Sequence, residues 1–180
     1  MAKDTNFVWI DLEMTGLNSE QDHILEIATI ITDDQLNIIE QGPALIIHQP
    51  EKHLQGMDEW VLETHTKNGL LKKVKESNIS LQQATQQTFN FIQKYCTPDT
   101  ALLAGNSVWK DREFLQKYMP KITNYLFYRL IDVTSIKILI DRWYPDSPHR
   151  EFLKKDTHRA LDDIVESINE LKHYRKYFFI

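Results

Sequence analysis

Hydrophobic and polar positions along the chain predict three strands, followed by helices and strands in alternation. Residues 7–10 form a short β-rich run, and residues 24–32 are apolar with many β-branched side chains. Residues 36–48 continue as a third strand, with an interruption near Gly42 and Pro43. Turn-like residues at 15–19 and at Asp33-Asp34 separate these strands, so we expect an antiparallel meander.

The remainder of the chain shows helical spacing, broken by two short apolar runs. Apolar residues from Trp60 to Val74 predict one or two short helices, and residues 80–96 predict an amphipathic helix. The runs at 101–104 and 130–133 predict a fourth and a fifth strand, each followed by a helix, at 111–118 and 134–143. Residues 145–148 are expected to form a mobile loop, and Thr157 is suited to cap a long final helix with His158 at its start.

This order of elements predicts an α/β fold, in which a mixed five-stranded sheet has helices on both faces. At 180 residues, without a repeat or a linker, the chain is expected to form one domain spanning residues 1–180. Reactive groups in such sheets collect where strands end and helices begin. The ends of the first and fourth strands and the start of the last helix are therefore the places to search for chemistry.

Charge and cysteine content narrow the classes of function. The net charge of -5 argues against a protein that holds long nucleic acid by its backbone, but it is compatible with a short substrate bound through metal ions. Cys96 is the only cysteine, so an intramolecular disulfide is excluded and a reducing compartment is expected. From the polar first residues and the short apolar runs we expect neither a signal peptide nor a membrane span, and we expect the protein to be cytoplasmic.

The candidate chemistry consists of acidic residues beside predicted strands and helix starts. Asp11 and Glu13 are two positions apart at the end of the first strand, so they share a face and could bind one cation or bridge two. A lone pair of this kind is more often an acidic turn, but charges beside a buried strand need partners or metal. Asp111, taken alone, is a first-turn acid favoured by the helix dipole.

The start of the last helix is richer in candidates. His158 is placed there to move protons, although a surface histidine that caps a helix is the simpler interpretation of it alone. Asp162 and Asp163 both lie off the buried stripe, and periodicity does not decide between them. If the fold brings four carboxylates together, repulsion between them requires cations, and two divalent metals on oxygen ligands are expected.

Several segments resemble the motifs of the DEDDh class of exonucleases, in the form found in the oligoribonuclease family. The resemblance covers residues from about 7 to 175, which is nearly the whole chain. The segments that carry it are Asp11-Leu12-Glu13-Met14-Thr15-Gly16-Leu17, Gly105-Asn106-Ser107 leading to Asp111-Arg112, and His158-Arg159-Ala160-Leu161-Asp162-Asp163, with Thr64-His65-Thr66 and Tyr128-Arg129 between them.

This resemblance implies an RNase H-like fold, a homodimer, and 3′-to-5′ exoribonuclease activity that degrades dinucleotides and slightly longer RNAs to mononucleotides. It implies two divalent cations, Mg²⁺ or Mn²⁺, and a general base at His158, whose distance along the chain selects Asp163 over Asp162 as the last acid. The implied metal ligands are Asp11, Glu13, Asp111 and Asp163. The implied substrate contacts are Leu17 as a wedge between two bases, Trp60 and His65 around the 3′ nucleotide, Ser107 at a 5′-phosphate with Thr134 and Ser135 as further phosphate contacts, and Tyr128 (a catalytic residue) and Arg129 donated across the dimer interface.

Two other functions compete with this interpretation. A proofreading-type 3′-to-5′ DNA exonuclease would use the same chemistry on a different substrate, and only the wording of the motifs favours RNA. A catalytically silent exonuclease-like domain could serve as a binding module. Such a chain would be expected to have lost at least one acid or the histidine, and this one keeps all five residues.

Overall fold

A five-stranded mixed sheet forms the centre of the molecule. It is seen in a computed structural model that describes residues 6–154 and 158–179. The strands are β1 (Phe7–Met14), β2 (Ile24–Thr32), β3 (Ile38–Ile46), β4 (Leu102–Gly105) and β5 (Leu130–Asp132). Their order in the sheet is β3-β2-β1-β4-β5. β2 pairs antiparallel with both β1 and β3, whereas β4 runs parallel to both β1 and β5. The predicted meander and the mixed α/β sheet are thereby confirmed.

Helices cover both faces of this sheet. Alternate side chains of β1 enter two separate core clusters, because successive residues of a strand point to opposite faces. Val8 and Ile10 pack in the cluster that contains Phe89 and Phe114, whereas Trp9 packs in the cluster that contains Ile164. The helices are α1 (Glu51–Leu54), α2 (Glu59–Lys67), α3 (Leu70–Glu76), α4 (Leu81–Tyr95), α5 (Val108–Tyr118), α6 (Pro120–Thr123), α7 (Val133–Trp143) and α8 (Ala160–Phe178).

Several predicted boundaries were wrong, each because of contacts that are distant in sequence. β1 does not end at residue 10: pairing with β2 carries it on through Met14. β3 runs without a break through Gly42 and Pro43, which form a bulge between the pairs Ala28–Ala44 and Ile30–Gln41. Proline is tolerated there because β3 is an edge strand. The short helices α1 and α6 were not predicted.

Two helix starts also differ from the prediction, and both concern candidate site residues. α5 begins at Val108, so Asp111 lies inside its first turn and not at its first residue. α8 begins at Ala160 with Arg159 as its N-cap, which leaves His158 in the preceding segment. The predicted cap at Thr157 falls outside the described residues. Among the described residues, no helix combines the length and apolar character needed to cross a membrane.

The amphipathic helix predicted at 80–96 is confirmed as α4. Ser80 and Gln83 form a capping box, in which the Ser80 hydroxyl accepts from the Gln83 N–H (3.2 Å) and the Gln83 side chain accepts from the Ser80 N–H (2.8 Å). The helix buries Phe89 and Ile92 against the sheet. This layer supports β1 from the side opposite α8, so the residues at the end of β1 are held between two packed faces.

Candidate active site

Three carboxylates from two elements converge near the C-terminal end of β1. Asp11 and Glu13 continue the row of Trp9, and therefore face the side of the sheet on which α8 packs. Asp163, in the first turn of α8, reaches the same place. Carboxylate oxygens of these three residues all lie within 4.8 Å of one another. Asp162 is exposed, so the structure distinguishes the two neighbouring acids that periodicity left open.

Asp111 approaches the same strand from α5. Its side chain is only 6% exposed, and its Oδ1 accepts a hydrogen bond from the Leu12 N–H at 3.0 Å. This bond fixes the Asp111 carboxylate at the backbone of Leu12, the residue between Asp11 and Glu13. Asp111 is not part of the tight group of three, but its charge is the strongest of those that act on Asp11. The four acids thus reach one strand end from three elements.

Burial raises the pKa of each carboxyl group in this set, and repulsion from other members of the set adds to the rise at Asp11 and Glu13. Loss of hydration, together with the charges of Asp163 and Glu26, raises the pKa of Glu13 to about 8. Burial raises the pKa of Asp111 to about 8 and that of Asp163 to about 6. Burial, followed by the charge of Asp111, holds the pKa of Asp11 well above its usual range. The set therefore retains protons that a bound cation would displace.

A further acid, the buried Glu26, lies beside this set and has its own cation. It pairs with Glu13 across β1 and β2, and its carboxylate is held by the Arg159 guanidinium through two hydrogen bonds, of 2.7 and 3.0 Å. Arg159 is the N-cap of α8, so this ion pair fixes the start of the helix that carries Asp163. This ion pair was not predicted from the sequence. A charged residue within the apolar run 24–32 was the signal that could have revealed it.

His158 lies just before α8 in a left-handed backbone conformation, with φ of 51°. Its carbonyl oxygen accepts a hydrogen bond of 2.7 Å from the Asn68 side chain, at the end of α2. Its ring contacts Trp60 edge to face, with 5.4 Å between the ring centroids. Tertiary contacts therefore hold this residue beside Asp163, in a conformation that non-glycine residues rarely adopt.

A small cavity of about 230 Å³ lies beside the acids, between the β1–β2 turn and α2. Leu17 and Trp60 line it although both are about two-thirds exposed, at 67% and 63%. His65 is buried in its wall, where Nε2 lies 3.0 Å from the Met14 carbonyl oxygen and burial lowers the pKa of the ring. The remaining lining residues are Leu12, Glu13, Met14, Gly16, Asp58, Val61, Thr64 and His158.

The predicted phosphate contacts form a second cluster, at the start of α5. Ser107 is the N-cap of that helix, and its N–H donates to Asp132 Oδ1 (3.0 Å) and to Thr134 Oγ1 (2.9 Å). The two hydroxyl oxygens of Ser107 and Thr134 lie 3.2 Å apart. Ser135 is exposed on the first turn of α7. Ser107 and Thr134 therefore form one hydroxyl-bearing corner.

Tyr128 and Arg129 are placed apart from the cavity. Both are exposed, Tyr128 by 65%, and the Arg129 Nε donates to the Tyr128 hydroxyl at 2.9 Å. The Tyr128 carbonyl accepts a hydrogen bond of 2.6 Å from Arg112 on α5. Neither side chain is among the described residues that line the cavity of its own chain.

Solved structures with a similar fold are exonucleases. The exonuclease I of Methylocaldum szegediense superposes with a TM-score of 0.71 at 16% identity, over 97% of this chain and 41% of that one. Exonuclease I of E. coli in complex with a dA16 oligonucleotide gives a TM-score of 0.74 at 12% identity, over 97% of this chain and 41% of that one. The chain thus spans about two-fifths of these proteins, and at such low identity the likeness concerns the fold alone.

Sequence comparison is more specific. A family model described as Exonuclease matches residues 8–171. The oligoribonuclease of Marinobacter nauticus is 52% identical over 180 residues, which cover 99% of both chains. The oligoribonuclease of Buchnera aphidicola is 51% identical over 174 residues, covering 97% of this chain and 93% of that one. The chain therefore belongs to the oligoribonuclease family of exonucleases.

Proposed function

We propose that this protein is a 3′-to-5′ exoribonuclease that degrades very short RNAs, dinucleotides and slightly longer, to mononucleotides. The observation that carries the proposal is the convergence of Asp11, Glu13 and Asp163 within 4.8 Å at one end of a small cavity with an exposed tryptophan. The relatives at about 50% identity are named oligoribonuclease, which favours RNA as the substrate. It also favours hydrolysis over a catalytically silent binding role.

The acidic set fits divalent cations. All four side chains offer carboxylate oxygens, the ligands preferred by Mg²⁺ and Mn²⁺. No Lys or Arg forms a salt bridge with Asp11, Glu13 or Asp163 among the described residues. We propose that Asp11, Glu13, Asp111 and Asp163 hold two such ions. When bound, the ions would lower the pKa of an attacking water and stabilise negative charge on the leaving 3′ oxygen.

His158 is proposed as the general base that takes the proton from the attacking water. It lines the cavity beside the acids, five residues before Asp163, and its charge lowers the pKa of that carboxyl group. Histidine exchanges protons near neutral pH, which suits this role. The contacts of His158 with Asn68 and Trp60 keep it at the edge of the cavity.

The cavity is proposed to receive the 3′ nucleotide. Trp60 presents an exposed ring on which a base can stack, a contact worth roughly 1–3 kcal/mol that tolerates any base. His65 is held by the Met14 carbonyl, so its ring has a fixed orientation in the wall. Leu17, on the facing turn, would lie between the two bases of a dinucleotide. Ser107, with Thr134 and Ser135 beside it, is proposed to contact the 5′-phosphate at the opposite end of the dinucleotide.

We also propose that the active unit is a homodimer, with Tyr128 and Arg129 of one subunit completing the site of the other. Both side chains are exposed and lie outside the cavity of their own chain. α7, which follows β5, exposes Ile138, Leu139 and Trp143, an apolar surface of the kind that subunit interfaces bury.

Subunit complementation tests the shared site. Tyr128→Ala and Asp163→Asn are each expected to be inactive, because each removes a different part of the same composite site. Mixing them with subunit exchange is expected to restore about a quarter of the wild-type rate, since half of the dimers are mixed and each mixed dimer has one intact site. No recovery in a mixture shown to exchange subunits would contradict the shared site.

The substrate proposal is tested by comparing kcat/KM for a 5′-phosphorylated diribonucleotide with that for a long single-stranded DNA, in Mg²⁺ and in Mn²⁺. We expect the diribonucleotide to be preferred, because the cavity is small and the surface is acidic overall. Faster cleavage of the DNA would instead support the proofreading-type alternative.

A further inference from the structure

The turn between β1 and β2 presents an exposed leucine on a loop that several side-chain hydrogen bonds hold in place. Leu17 lies near the tip of this turn, 67% exposed, and lines the same cavity as Trp60. A leucine this exposed contributes little to the core. Core packing therefore does not explain why the turn is ordered at a cost in conformational entropy. An apolar contact with a substrate base supplies one, provided that the turn holds Leu17 in a fixed position.

The Asp22 carboxylate closes this turn from inside. Its Oδ1 accepts a hydrogen bond of 2.8 Å from the Thr15 hydroxyl, and its Oδ2 accepts one of 2.8 Å from the Asn18 N–H. Thr15 and Asn18 flank the Gly16–Leu17 pair, so one side chain ties both ends of the segment that carries Leu17. The Thr15 hydroxyl in turn accepts from the His23 N–H at 3.0 Å, which joins the turn to β2.

Position 16 requires glycine because the Asp22 carboxylate lies too close to its backbone to admit a side chain. A Cβ at Gly16 would lie 2.5 Å from Asp22 Oδ2 and 2.7 Å from Oδ1, closer than real Cβ contacts allow. The carboxylate therefore lies directly beneath the backbone of the turn. Any larger residue at position 16 would push Asp22 away from Thr15 and Asn18.

Helix α5 braces the same turn from outside. The Tyr118 hydroxyl donates to the Asp22 carbonyl at 2.7 Å, and Lys117 Nζ donates to the Ser19 carbonyl at 2.6 Å. The Ser19 hydroxyl donates to Glu113 Oε1 at 2.5 Å. α5 also carries Asp111, so the turn and the acidic centre share one rigid support.

We propose that Asp22 is a positioning residue for dinucleotide recognition, which acts by holding Leu17 at the cavity and never touches the substrate. This inference rests on the proposed function, because it assigns Leu17 a contact with a nucleotide base. Removing the Asp22 carboxylate should loosen Leu17 without disturbing the acids, since Asp111 keeps its bond to Leu12. Hydrolysis of a substrate that carries nucleobases should slow, whereas hydrolysis of a phosphodiester without a nucleobase should not.

Two substrates separate these effects. For Asp22→Ala, kcat/KM on a 5′-phosphorylated diribonucleotide is expected to fall at least about tenfold, the size of a lost apolar contact made by a leucine side chain. Hydrolysis of bis(p-nitrophenyl) phosphate, which has no base, should stay within about twofold of wild type. Asp33→Ala is the matched control: Asp33 also closes a turn, accepting from the N–H groups of Gln35 and Asn37, but at the far end of β2. It should leave both substrates unaffected.

A double mutant identifies the route of the effect. If Asp22 acts through Leu17, the pair Leu17→Ala and Asp22→Ala should lose no more than Leu17→Ala alone. An additive loss, an equal fall on both substrates, or an unchanged rate on the diribonucleotide would overturn the inference. If Asp22→Ala does not fold, Asp22→Asn takes its place, since it keeps only one acceptor oxygen. Failure of the wild type to cleave the diribonucleotide would refute the proposed function instead.

Discussion

Buried and half-buried carboxylates among the described residues include two groups that differ in what neutralises them. Glu26, 1% exposed, has the Arg159 guanidinium at 2.7 Å. Glu170 is fully buried and has Lys154 Nζ at 2.6 Å, with further hydrogen bonds from Tyr174 (2.9 Å) and Asn106 (3.0 Å). In both cases the chain supplies the cation, and the carboxylate connects α8 to the rest of the fold.

Among the described residues, the acids at the end of β1 form no salt bridge with a lysine or an arginine. Glu13 is next to Glu26 on the paired strand, yet burial and the neighbouring carboxylates raise its pKa to about 8. Its nearest cationic candidate is His65, 3.9 Å away, and burial lowers the pKa of that ring. Arg159 forms its salt bridge with Glu26 and acts on the adjacent Glu13 only from a distance, which leaves the charge of Glu13 to be balanced by something that binds. We infer from this difference that Glu26 and Glu170 are structural and that the acids at the end of β1 belong to a site.

The largest effect is expected from removing a carboxylate of the unpaired group. Asp163→Asn should reduce Mg²⁺- or Mn²⁺-dependent hydrolysis of a diribonucleotide by more than about a hundredfold, because even residues that only orient metal ligands cost 10–100-fold when lost. Metal binding measured by calorimetry should weaken in parallel. Asp162→Asn is the matched control, since Asp162 is adjacent but exposed. Normal activity in Asp163→Asn, or an equal loss in Asp162→Asn, would contradict the assignment.

Breaking the paired group should affect stability more than chemistry. Arg159→Ala leaves Glu26 buried without its cation and is expected to lower the free energy of unfolding by about 3 kcal/mol, near the lower end for buried pairs because Arg159 is partly exposed. Urea denaturation measures this. In the metal-free protein, Asp163→Asn should leave the urea midpoint unchanged or raise it, since it relieves repulsion. Equal destabilisation of Arg159→Ala and Asp163→Asn would contradict the division of the carboxylates into a paired and an unpaired group.

Sequence periodicity predicted the elements well but could not identify the acid that faces the site. Asp162 and Asp163 are about 100° apart around the helix, and which of them meets Asp11 depends on how α8 is rotated. Packing of Ile164 and Ile168 against the sheet and the ion pair of Arg159 set that rotation. None of these contacts is visible as a local pattern.

The same reason explains the errors near the site. The β-rich run that predicted β1 covers only residues 7–10, but pairing of Glu13 with Glu26 continues the ladder past the acids. His158 was placed at the helix start, whereas the bond from Asn68, 90 residues away in sequence, is part of what holds it in a left-handed conformation. Local rules fail at such positions because tertiary contacts outweigh them.

The smallest effect, and the one that separates the two groups most cleanly, is the dependence of metal-free stability on pH. The folded pKa of Glu13 is about 8 against an ordinary 4.5, so folding is favoured below about pH 4.5 and that contribution is lost as pH rises through 8. Thermal unfolding in a chelator should therefore show Tm falling between pH 6 and 8.5, and Glu13→Gln should flatten this fall. Added Mg²⁺ should raise Tm more at pH 8.5 than at pH 6, since it replaces the protons that repulsion retained. A metal-free Tm that rises across this range in the wild type, with Glu13→Gln unchanged from it, would mean that Glu13 is already neutralised by the chain, as Glu26 is.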